Sequence, residues 1–116
     1  MYAPDQPGWQ RLKEALLTLK TVCNSSGIAL QVVLLPELHR LQNYPFQKEH
    51  EQVKSFLNDH RISHLDLAPF FAGETNPMRL WVARDDAHPN AAAHERIARF
   101  SFNFLADSLP NKANAS

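Results

Sequence analysis

The chain is poor in the features that make several functions easy to recognise. It holds one cysteine, Cys23, in 116 residues, which excludes an internal disulfide framework and any zinc site built from cysteines. It has no excess charge of either sign, because twelve basic and twelve acidic residues cancel. Neutralising phosphates requires clustered Lys and Arg in excess, so no nucleic-acid partner is expected. No apolar run approaches the roughly 20 residues that span a bilayer, so no membrane span is expected. The opening Met1-Tyr2-Ala3-Pro4-Asp5 has neither the basic start nor the apolar core of a signal peptide, and none is expected. Internal repeats and low-complexity segments are also missing.

What is present is the composition of a folded domain. Hydrophobic residues make up 44% and charged residues 21%, close to globular averages. A length of 116 residues suits one domain or a piece of one.

Trp9 to Asn24 carries apolar residues at 9, 12, 16, 19 and 23, the spacing of an amphipathic helix. Cys23 lies on that stripe and is expected to be a buried structural thiol, as free cysteines usually are. Asn24-Ser25-Ser26-Gly27 supplies the stop. Ile28 to Leu35 is nearly continuously apolar and ends at Pro36, which predicts a strand buried on both faces, as in a parallel sheet. A second helix is expected from Pro45 or Phe46 to His60, with Val53, Phe56 and Leu57 inward. Arg61 to Leu67 alternates and predicts a second strand, stopped by Pro69. Strand, helix, strand of this length makes a βαβ unit with parallel strands.

Phe70 to Asp86 reads mostly as loop. A last helix is expected from about Pro89 to Ser108, with Ile97, Phe100, Phe104 and Leu105 inward, and residues 110–116 are expected to form a flexible tail. The expected fold class is therefore α/β, with parallel strands and about three helices in residues 1–109. So apolar a strand in a two-stranded parallel sheet leaves edges and faces uncovered. Either a missing N-terminal half or self-association through the sheet is the expected cover.

Six histidines are present, at 39, 50, 60, 64, 88 and 94. His39, His50 and His60 fall on expected helix or loop surfaces without a nearby acid pattern, and His64 reads as a structural histidine in its strand. His88 differs: it follows Asp85 and Asp86 and precedes a Pro that opens a helix. A catalytic imidazole needs a carboxylate to fix its tautomer, with its other nitrogen open to a nucleophile. An acid two or three residues earlier on a tight loop can meet that need. The same two aspartates also suit a plain helix cap facing the positive end of a helix dipole. A zinc pair of His88 and His94 is weaker, since six residues turn them about 240° apart on a helix.

The run Leu80-Trp81-Val82-Ala83-Arg84-Asp85-Asp86-Ala87-His88-Pro89-Asn90-Ala91-Ala92-Ala93-His94-Glu95-Arg96-Ile97-Ala98 resembles the last block of the SGNH hydrolases, the GDSL-like esterases and lipases. The order of elements from Trp9 to Leu105 is similar as well. The resemblance implies a partial flavodoxin-like α/β/α sandwich, a serine nucleophile, a His general base and small ester substrates, with no cofactor. His88 matches the base; Asp85 fits the Asp-x-x-His spacing and Asp86 an Asp-x-His variant. The family's Gly-Asp-Ser and Gly-x-Asn-Asp blocks have no counterpart here: Gly8, Gly27 and Gly73 precede no plausible nucleophile. The resemblance thus implies the C-terminal part of an ester hydrolase, supplying the His/Asp pair and inactive alone. The alternative is a non-catalytic α/β module that associates through its exposed sheet edge.

Overall fold

A computed structural model describes residues 2–107; the expected tail at 110–116 and the expected helix end at Ser108 lie outside the described residues. Among the described residues the chain is mixed α/β, with four α-helices, a small parallel sheet and a small antiparallel sheet. The described residues divide into two compact units, one of residues 2–34 and 43–66, the other of residues 35–42 and 67–107.

The first unit is a βαβ arrangement preceded by a helix. Helix α1, Pro7–Ser25, begins on Pro7, whose missing N–H costs nothing in a first turn. Its end is built by Gly27, at φ +68°, which lets the Ile28 N–H reach the Cys23 carbonyl at 2.8 Å and close the last turn. Trp9 and Cys23 are buried as expected, but Leu12 and Leu19 are 40% and 46% exposed. The inward stripe is narrower than the spacing suggests. Strand β1, Gln31–Leu34, pairs in parallel with β2, Ser63–Asp66, in the register Gln31 to Ser63 and Leu34 to Asp66. Helix α2, Gln47–Asp59, connects them and buries Leu57 completely. It ends by the same device as α1, with Arg61 at φ +55° and the Ile62 N–H on the Leu57 carbonyl at 2.8 Å. All four β1 residues are only half-buried, so the expectation of a strand covered on both faces is not met within this unit.

The second unit corrects the reading of residues 70–86 as loop. Helix α3, Ala68–Phe71, and a 3-10 turn, Pro77–Leu80, bury Phe71 and Leu80. Strands β3, Trp81–Ala83, and β4, Asp86–Pro89, then form an antiparallel hairpin with an irregular register. Short apolar stretches interrupted by charge hide this hairpin from any periodicity argument, because three- and four-residue strands show too few alternations. The expected three helices become four for the same reason: α3 is one turn long. Helix α4, Ala91–Ala106, starts two residues later than Pro89 and buries Ala93 and Ser101, with Ile97, Phe100 and Phe104 half-buried. Leu105, expected inward, is 43% exposed. Among the described residues no helix is long and apolar enough to cross a membrane.

Candidate acid–histidine site

The site lies in the second unit and is set by Asn90. Its side-chain oxygen accepts from the Ala93 N–H at 2.9 Å and caps α4. Its amide donates to the carbonyls of Arg79 and Trp81, at 2.8 and 3.0 Å, and its main-chain N–H donates to Leu80 at 2.8 Å. One residue therefore fixes β3, β4 and the start of α4 against each other. The cap that the sequence offered to Asp85 or Asp86 belongs to Asn90.

That frees the aspartates, and the structure separates them. Arg84 and Asp85 form the two-residue turn of the hairpin, and Asp85 is exposed. Asp86 is the first residue of β4, His88 the third. Alternation along a strand sends both to one face, which brings the carboxylate to the ring. The His88 main-chain N–H donates to Asp86 Oδ1 at 3.0 Å, and the same oxygen contacts His88 Nδ1. The His88 N–H first, then the imidazole, hold the Asp86 carboxyl below its ordinary range. A carboxylate at Nδ1 favours a proton there and leaves Nε2 as an acceptor. Of the two candidate acids, Asp86 and not Asp85 meets His88. The pair is open: the His88 side chain is 85% exposed and that of Asp86 44%.

Beside it lies a cleft of about 520 Å³ lined by two segments, residues 35–39 and 85–89. Trp81 anchors the first segment to the hairpin, donating its indole N–H to the Leu38 carbonyl at 2.9 Å. Leu38 and Leu41 are 5% and 3% exposed, so the segment is held by its apolar side chains.

Two histidines read as surface residues have acid partners. His39 Nδ1 contacts Glu37 Oε1, and the His39 N–H donates to Glu37 Oε2 at 3.0 Å. This spacing repeats Asp86-x-His88 and was visible as Glu37-x-His39. His50, in the first unit, has Asp66 at Nδ1 (2.9 Å) and the Tyr44 hydroxyl at Nε2 (3.1 Å). Sixteen residues separate His50 from Asp66, so no local pattern announces that pair. His64 Nδ1 lies 2.9 Å from the Ile62 carbonyl, a local bond within its own chain segment. Among the described residues no group of three or more His, Cys, Asp and Glu side chains is placed to hold a metal ion.

Comparisons with protein-family models, with curated proteins and with solved structures find no match to this chain.

Proposed function

We propose that this chain is the C-terminal part of an SGNH-type ester hydrolase and supplies its general base, His88, and that base's acid, Asp86. The observation that carries the reading is the Asp86–His88 contact: the ring is held at Nδ1 and by its own backbone, with Nε2 open beside a cleft. In the reaction, Nε2 takes the proton from an attacking serine hydroxyl, and Asp86 stabilises the imidazolium that results. The finer fold is then a partial flavodoxin-like α/β/α sandwich. The serine and most of the oxyanion hole belong to residues outside this sequence, since Gly-Asp-Ser is not among those present. An exposed imidazole fits that reading, because a working base is shielded from bulk water by the rest of its site.

Magnitude sets the expected activity. Loss of a triad nucleophile costs about 10⁶ in turnover, and one oxyanion donor about 10²–10³. The purified chain alone should hydrolyse p-nitrophenyl acetate no faster than buffer. Joined by a polypeptide from the same genome that carries a Gly-Asp-Ser block, it should gain esterase activity. That activity should fall about 10⁴-fold in Asp86→Asn and at least as far in His88→Ala. A strong rate from the chain alone, lost in His88→Ala, would place the nucleophile here. Restored activity indifferent to His88→Ala would remove the base.

A second reading is a non-catalytic module that associates through its sheet. The half-burial of every β1 residue favours it, together with Ile28 and Leu35 at 58% and 49% exposed. It requires self-association in sedimentation at micromolar concentration; a stable monomer would count against it.

A further inference from the structure

The cleft beside His88 is lined by a second imidazole held in the same way. Glu37 and His39 stand two residues apart, as Asp86 and His88 do. Each carboxylate accepts the N–H of its histidine's own backbone and contacts that histidine's Nδ1. Residues 37–39 and 86–88 all line the one cleft. His39 has a further restraint: its ring meets Trp81 edge-on at 5.3 Å, and Trp81 is itself tied to Leu38.

Holding an exposed ring costs rotamer entropy, and an exposed polar contact returns little. Packing does not require the arrangement either, since the His39 side chain is 66% exposed. What it achieves is a fixed ring with Nε2 available, the same outcome as at His88. The rest of the lining narrows the ligand. Leu35, Pro36, Leu38, Ala87 and Pro89 are apolar, which suits a short hydrocarbon group. Glu37, Asp85 and Asp86 make the rim acidic, which opposes an anion. Among the described residues no three His, Cys, Asp or Glu side chains are placed to hold a metal ion, so no metal is proposed for the two rings.

We propose that His39 is a substrate-positioning residue, whose Nε2 accepts a hydrogen bond from a hydroxyl of an uncharged, short-chain hydroxy ester bound against His88. The inference rests on the ester-hydrolase reading and names its substrate class. No proton leaves or enters the ester through His39: Glu37 holds the ring proton at Nδ1, so Nε2 accepts and the hydroxyl of the ester donates.

Ethyl 3-hydroxybutyrate is the probe, with 3-hydroxybutyrate as its charged counterpart, and the imidazole nitrogen resonances of the intact chain are the readout. Ethyl 3-hydroxybutyrate should shift the Nε2 signals of both His39 and His88 along one saturation curve. The free acid anion should shift neither at neutral pH. His39→Ala should weaken ethyl 3-hydroxybutyrate binding, read at His88, by about threefold to tenfold, the effect of one hydrogen bond. His39→Gln should restore part of it. If His88 responds with unchanged affinity in His39→Ala, the role of His39 is overturned while the ester site stands. A response at His39 alone keeps an ester-binding His39 and overturns the catalytic reading of His88. No response at either ring overturns both, and 3-hydroxybutyrate binding as tightly as its ester overturns the assigned substrate class.

Discussion

In one unit the His50 ring meets the Asp66 carboxylate at 2.9 Å, with side chains 11% and 5% exposed; in the other the His88 ring meets Asp86 with side chains 85% and 44% exposed. The residue types are the same and the consequences differ. His50 has both ring nitrogens occupied, one by Asp66 and one by Tyr44, so it has no atom left for chemistry. Lys54 adds a second contact to Asp66 at 3.3 Å. These bonds tie α2 to the end of β2. His88 has one nitrogen held and one open, so its pair orients without closing the fold. The state of the second nitrogen is what separates the structural imidazole from the one we propose as a general base.

Stability is the sharpest way to break that comparison. Asp66→Ala leaves His50 and Lys54 facing a lost carboxylate in a mostly dry setting, and removing one member of a buried pair costs roughly 3–5 kcal/mol. Lys54 keeps Glu51 at 2.8 Å, which places the expected loss near the low end. Asp86→Ala removes an exposed partner and should change stability by less than about 0.5 kcal/mol. Urea unfolding of the two variants should therefore differ by several-fold in lost stability. Equal losses would mean that Asp86 also holds the fold, and the division between the pairs would fail.

The two pairs also differ in how readily a sequence shows them. Asp86 and His88 are near neighbours, and once their separation is known to lie on a strand, a period of two puts them on one face. Periodicity showed α1, α2 and α4 because each offers three or more turns, and Ile28 to Leu35 showed β1 by its apolar run. It did not show α3 or the β3–β4 hairpin, which are too short to repeat. The choice between Asp85 and Asp86 needed the hairpin, since it is the turn that takes Asp85 away. His50 with Asp66 needed the βαβ packing, because α2 must fold back on β2 before the two can meet. Glu37-x-His39 was legible by the same rule as Asp86-x-His88 and lacked only a reason to look, which the shared cleft provides.

The smallest effect concerns Lys54, which contacts the carboxylate of the buried pair. The Glu51 carboxylate first, and Asp66 after it, hold the Lys54 ammonium protonated above its ordinary range, against the burial that opposes its charge. A lysine raised in the folded state is favoured there in its charged form. Its contribution is complete below the ordinary lysine value of about 10.4 and is lost as pH climbs through the higher folded value. The Lys54 side chain is 24% exposed, so solvent screens the contact and the loss should be about 0.5 kcal/mol. Unfolding of the parent chain should therefore weaken more between pH 9 and pH 11 than unfolding of Lys54→Met, which has no charge to lose. Asp86→Asn should follow the parent through the same range, because no lysine partners the exposed pair. If Lys54→Met weakens with pH as steeply as the parent, Lys54 does not stabilise the buried pair, and His50 with Asp66 must hold α2 to β2 unaided.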